Sequence, residues 1–182
     1  MKDVNKEVIN YYIKLAQKIS KKKRIFFERK DGIIYFSDGC FLCSFSVERT
    51  EEFLTLCAAF GLSAVEERFT VEYTNGSLYH GGQVISKAVE TAKENAKEKH
   101  LMFTGVSAYA HNIDTNVDVL TDKQSVYFYN EKYTKPLKTL YLNGSENNGW
   151  TWAVYEIMDI FCMILPVRTC DSLEAVVKIM NK

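Results

Sequence analysis

The chain has 182 residues, enough for one ordinary domain or two compact ones. A fold of this size buries roughly 70% of the surface of its extended chain, so neither disulfides nor metals are required to hold it. The formal net charge of zero argues against a generally sticky polyanion binder, while 47% hydrophobic and 25% charged residues are ordinary globular values.

The charge is unevenly spread. Residues 1–30 carry ten Lys/Arg against three Asp/Glu, a balance of +7, whereas residues 31–74 carry two against eight, a balance of −6. The first twelve residues hold no continuous apolar run of the signal-peptide kind, and no window approaches the ~20 apolar residues of a spanning helix. Five cysteines, an odd number, do not suggest a disulfide framework. The expectation is a reduced, cytoplasmic protein with no membrane association.

Taken in order, Asp3 or Asn5 caps a first helix to about Ser20, with Val4, Val8, Tyr11, Tyr12, Leu15 and Ile19 at spacings of three and four. Lys6, Lys14, Lys18 and Lys21 occupy the opposite face, and Lys21-Lys22-Lys23-Arg24 sits where cations complement the helix dipole. Arg24 to Val47 reads as three strands joined at Asp31-Gly32 and Asp38-Gly39, with Phe41, Cys43, Phe45 and Val47 on one face. Thr50 starts an acidic-ended helix that Gly61 closes. Phe69 to Tyr73 alternates into the Asn75-Gly76 turn and a strand to His80.

Gly81-Gly82 is expected to open a second long helix to about Lys99, with Ile85, Ala88, Val89, Ala92 and Ala96 as its inner stripe. Leu101–Val106, Val117–Leu120 and Ser125–Tyr129 read as strands. Asn130–Leu142 reads as a helix that Pro136 breaks or delays, with Thr134 as a possible cap. Trp150–Ile157 and Ile160–Val167 read as a hairpin around Met158-Asp159, with a buried helix as the competing reading. Asp171 and Glu174 cap a last helix over 173–180. The expected organisation is a first helix-and-meander domain over 1–80, a second over 81–168 and an extra helix over 169–182, or one compact domain overall.

No catalytic signature appears. Cys40-x-x-Cys43 has metal or redox spacing, but on a strand positions i and i+3 face opposite ways. His80, His100 and His111 are scattered, Gly81-Gly82 lacks a phosphate-loop context, and Asp114, Asp118 and Asp122 lack calcium-loop alternation. No cofactor is implied. Lysines on a helix face can contact phosphates without reading bases, and the two long helices offer such faces; a solvated surface is the equal alternative.

Tyr127-Phe-Tyr-Asn-Glu-Lys-Tyr133 is similar to the Phe-Asn-x-x-Tyr-Leu opening of the last helix of bacterial DNA sliding clamps. Cys162-Met-Ile-Leu-Pro-Val-Arg168 resembles the Val-Met-Pro-Met-Arg strand that ends them, and Phe36-Ser-Asp-Gly-Cys-Phe41 looks like their strand-and-turn pattern. The resemblance implies an α+β, DNA-clamp-like fold of repeated helix plus antiparallel meander units, with helices on one face of antiparallel sheets. It implies a non-enzymatic, homo-oligomeric accessory protein of phage or mobile-element type. Lys14, Lys18, Lys21, Lys22, Lys93 and Lys97 would then face the backbone of double-stranded DNA. Leu165, Pro166, Val167 and Arg168 would match the cleft for a polymerase-type peptide. Two other readings stay open: a protein–protein interaction module of the same fold without DNA, and a small enzyme using Tyr79, His80 and the Asp114–Asp122 loop.

Overall fold

A computed structural model describes residues 3–110 and 113–167. Its described residues separate into two compact units, one holding those up to Glu94 together with Glu156–Met163, the other holding those within Asn95–Tyr155 and those from Ile164 to Val167. The expected division after residue 80 thus stands beside a first unit that also takes in the next helix and a strand from far along the chain. The helix expected over 173–180, like Arg168 and His111, lies outside the described residues.

The first unit opens with α1 (Val4–Ile19), capped by Asp3, whose carboxylate accepts from the N–H groups of Asn5 and Lys6 at 3.0 and 3.2 Å. Val8, Ile9, Tyr12, Ile13 and Ala16 are buried, which fixes the orientation of the helix. Then come β1 (Ile25–Lys30), β2 (Ile33–Ser37) and β3 (Phe41–Ser46), in the expected meander. Asp31 and Gly32 take positive φ in the first turn, as the Asp-Gly pair predicts. Next follow α2 (Thr50–Phe60), closed by left-handed Gly61, then β4 (Phe69–Thr74), β5 (Ser77–His80) and α3 (Ser86–Glu94). With β11 (Ile160–Ile164), the strands of this unit run in the order β5-β4-β1-β2-β3-β11.

Strand alternation assigns each helix a face of that sheet. Tyr12 of α1 stacks on Phe41 at 5.2 Å, and Phe60 of α2 packs on Phe27 at 4.8 Å. Phe27 lies opposite Phe36, and Phe36 opposite Cys43, so α1 and α2 share the face that carries these residues. Cys43 Sγ meets Cys162 Sγ at 3.7 Å in that core, and burial pushes the Cys43 thiol well above its ordinary range. Cys43 of the Cys40-x-x-Cys43 spacing is therefore a core packing residue.

Glu28, one residue beyond Phe27, points to the other face. It is only 4% exposed, and its carboxylate accepts from Ile85 N, Ser86 N and Ser86 Oγ at 2.5, 2.7 and 2.8 Å. A β1 side chain thus caps α3 from across the fold. This explains why α3 starts at Ser86 instead of at Gly81-Gly82: the orphan N–H groups of its first turn find their acceptor there. It also ends early, at Glu94, because the chain from Ala96 is committed to strand pairing with Ser145. The long helix to Lys99 read from the sequence is corrected to nine residues.

The second unit holds β6 (Ala96–Ala110), β7 (Thr115–Thr121), β8 (Val126–Asn130), β9 (Leu142–Asn147) and β10 (Trp150–Ile157), in the order β10-β9-β6-β7-β8. Between β8 and β9 lies α4 (Glu131–Thr134), running into a 3-10 turn over Lys135–Leu137. Pro136 is the second residue of that turn, where a missing N–H costs little. The cap is Asn130, through Lys132 N, not Thr134. The Thr134 hydroxyl instead donates to buried Asp118, which also accepts from Ser107 and Lys138. The strands read around Met158-Asp159 are present, although β11 stops at Ile164 rather than Val167. No described helix is long and apolar enough to cross a membrane. The α+β class with helices and antiparallel meanders is the observed one.

Candidate nucleic-acid interface

With the apolar side of α1 buried, Lys14, Gln17 and Lys18 face solvent, and the exposed strip continues through Lys21, Lys22, Lys23 and Arg24 in the exit turn. The exit is set by backbone bonds from Lys22 N and Lys23 N to Ile19 O at 2.9 and 3.0 Å. Lys14 and Lys18 are a helical turn apart, about 6 Å along the axis.

Ion pairs take up many of the described cations outside this strip. Lys6 binds Glu51, Arg24 binds Glu72, Lys30 binds Glu90, and Arg68 binds Asp31. Arg49 reaches Asp3, Glu52 and Asp159. Among the described residues, no carboxylate pairs with Lys14, Lys18, Lys21, Lys22 or Lys23. Five adjacent cations are left for an anion from outside.

The other lysines named from the resemblance stand differently. Lys93 is bound to Glu156 at 2.5 Å and lies over the Phe161 ring, so its charge is already partnered. Lys97 falls in β6, beyond the end of α3, so it is not on a helix face. Leu165, Pro166 and Val167 are half-buried and follow β11. Val167 N donates to Phe128 O at 2.8 Å, and its side chain packs against Ala110, Val117, Val119 and Phe128.

The residues of the enzyme reading fall in different units. Tyr79 and His80 are exposed on β5 of the first unit, whereas the three aspartates belong to the second. Asp114 takes the Tyr109 hydroxyl, Asp118 has the partners given above, and Asp122 binds Lys99 at 2.9 Å. No group of three His, Cys, Asp or Glu that could hold a metal occurs among the described residues.

Lys99 and Asp122 line a depression of about 500 Å³ with His100, Met102, Lys123, Gln124 and Glu146. Burial disfavours charge on both groups. It is outweighed at Lys99 by Tyr127, Asp122 and Glu146, which hold its pKa well above the ordinary range. At Asp122 it is outweighed by Lys99 and by the N–H groups of Ser125 and Gln124, which hold the carboxyl well below its ordinary range. A lowered carboxyl adds stability that is fully present above its unfolded value, about 3.9, and is lost as pH falls through the folded one. The raised lysine adds stability below about 10.4 that is lost as pH rises through its folded value. Asp122→Asn should therefore destabilise the protein by about 1–2 kcal/mol, with a deficit constant between pH 5 and 9 and shrinking only below about pH 4. Thermal unfolding of both proteins across that range checks this.

No protein-family model matches the chain, and no curated protein matches it. Solved structures do. The Helicobacter pylori beta clamp, crystallised with 3,4-difluorobenzamide, is 9% identical; the match covers 94% of this chain and 66% of that one, with a TM-score of 0.35. The beta subunit of DNA polymerase III from Thermotoga maritima is 12% identical, with 91% and 64% covered and a TM-score of 0.36. The chain is similar to these two proteins at that level. It spans less than two thirds of the length of these clamps.

Proposed function

We propose that this chain is a non-enzymatic, clamp-like accessory protein that lies along double-stranded DNA through the outer face of α1. The observation that carries this reading is the strip of five exposed lysines that have no carboxylate partner among the described residues, where eight of the other described cations have one. Lys14, Lys18, Lys21 and Lys22 contact phosphates, giving retention that ignores sequence and depends on salt. Lys93 is left out because Glu156 already neutralises it, and Lys97 because it lies on a strand. Copies of the chain associate to surround a duplex, and the Leu165–Arg168 segment serves a partner peptide.

The test is a solution mass by sedimentation together with duplex affinity measured against salt. Four phosphate contacts predict a slope of about −3.6 in log K against log salt. A monomer without duplex affinity at low salt overturns the proposal. Binding of one protein partner that persists after nuclease treatment, with no duplex affinity, would favour the interaction-module reading. Exposed Ile157 and Met158, the latter 89% accessible at positive φ, would be its first candidate contacts.

A further inference from the structure

Where α1 hands over to β1, the surface is hollowed. A depression of about 400 Å³ is lined by Lys22, Lys23, Arg24, Phe26, Asp38, Thr74 and Asn75. That volume lies within the range of small-ligand sites. Its shape follows from strand register. Phe26 shares the face of Glu28, away from the core, and sits opposite Glu72, so β1 and β4 put Phe26, Glu72 and Thr74 on one side. The β4–β5 turn then brings up Asn75, whose positive φ lifts the hairpin tip.

The charges around it are unequal in availability. One Asp38 carboxylate oxygen already accepts from the N–H groups of Cys40 and Phe41 at 2.9 and 3.0 Å. Glu72 is taken up by Arg24 at 3.5 Å. Lys22 and Lys23 have no carboxylate partner among the described residues, which leaves two cations at the rim, a half-buried aromatic ring in the lining, and the amide and hydroxyl of Asn75 and Thr74 beside it. Cation, ring and hydrogen-bonding groups within one small depression match phosphate, base and base edge.

We propose that this depression binds one nucleotide of a single-stranded nucleic acid, with phosphate at Lys22 and Lys23 and the base against Phe26. A base inside a duplex is stacked on both faces and cannot reach such a ring; an unpaired one can, and every base offers a π face. The proposal goes beyond duplex contact by the α1 face, shares only Lys22 with it, and can stand if that contact fails.

The experiment uses the full chain, a fluorescein-labelled oligothymidylate, a duplex of the same length and inorganic phosphate as competitor. Phe26→Leu should weaken oligothymidylate binding by about 5- to 100-fold, the range of one lost base–aromatic stack, and leave duplex binding unchanged. Phe26→Tyr, which keeps the ring, should bind like the parent, and this variant keeps the test open if leucine disturbs folding. Lys22→Gln with Lys23→Gln should lower the salt slope for the single strand by about 1.4. Unchanged oligothymidylate affinity in Phe26→Leu, or full displacement by millimolar inorganic phosphate, overturns the proposal. Loss of duplex binding in Lys14→Glu/Lys18→Glu with retention of the single strand separates the two sites. A parent protein that binds the single strand through Phe26 but never the duplex sinks only the α1 reading.

Discussion

Reversing Lys14, Lys18 and Lys21 to Glu together should lower duplex affinity by about 100-fold or more at low salt and flatten the salt dependence. Each phosphate contact releases counterions and contributes about 0.9 to the slope, so three lost contacts remove about 2.7. A slope of that size is worth roughly 40-fold between 50 and 200 mM salt, before the new repulsion is counted. The positions suit the experiment because all three are exposed and no described carboxylate binds them, so no internal ion pair is broken. Fluorescence anisotropy at several salt concentrations gives both numbers. An unchanged slope in the triple variant would remove the α1 face from the interface.

The second large effect is structural. Glu28→Ala should cost about 3–5 kcal/mol of folding stability, seen as a large fall in the denaturant midpoint. The carboxylate is buried and serves three donors of α3, and leaving buried donors unsatisfied costs about 1–3 kcal/mol each, only partly relieved by water entering the space. Glu28→Gln keeps one good acceptor oxygen and should lose about half as much. If alanine and glutamine variants unfold at the parental midpoint, α3 is held by its apolar stripe alone, through Val89 and Ala92.

These two regions differ in how legible they are in the amino-acid sequence. α1 is legible in part: Val8, Tyr12 and Leu15 of its expected stripe are buried and the lysines at 14 and 18 are exposed, but Val4 is exposed too, and Ile9, Ile13 and Ala16 complete the buried face. The turns at Asp31-Gly32 and Asn75-Gly76 are legible because positive φ restricts the residue types that can sit there. Glu28 is not, since a carboxylate in a strand reads as a solvent-facing position unless its partners, distant in sequence, are known. The same gap lengthens α3 in the sequence reading: the apolar spacing of Ile85, Ala88, Val89, Ala92 and Ala96 extends a helix over residues 81–99, but a remote cap fixes the start and strand pairing fixes the end.

At the candidate site, the charge run Lys21–Arg24 is plain in the sequence. Which cations are free is not, because Glu156 beside Lys93 and Glu72 beside Arg24 come from other elements. Phe26 gives no signal either. Its neighbours Ile25 and Phe27 are core residues, and only strand alternation turns its ring outward.

The membership of β11 in the first unit has a consequence for how the protein is made. During synthesis, everything from α1 through α3 emerges while the strand that lies beside β3 is still to be translated. Until then the growing chain carries an open β edge, with Cys43 and its apolar neighbours short of the packing that Cys162 supplies. Closure must span the whole intervening unit, a long-range step of the kind that slows folding and lengthens exposure to wrong partners. Ribosome pausing or truncation anywhere before residue 160 would therefore release an unfinished sheet, not a smaller working module.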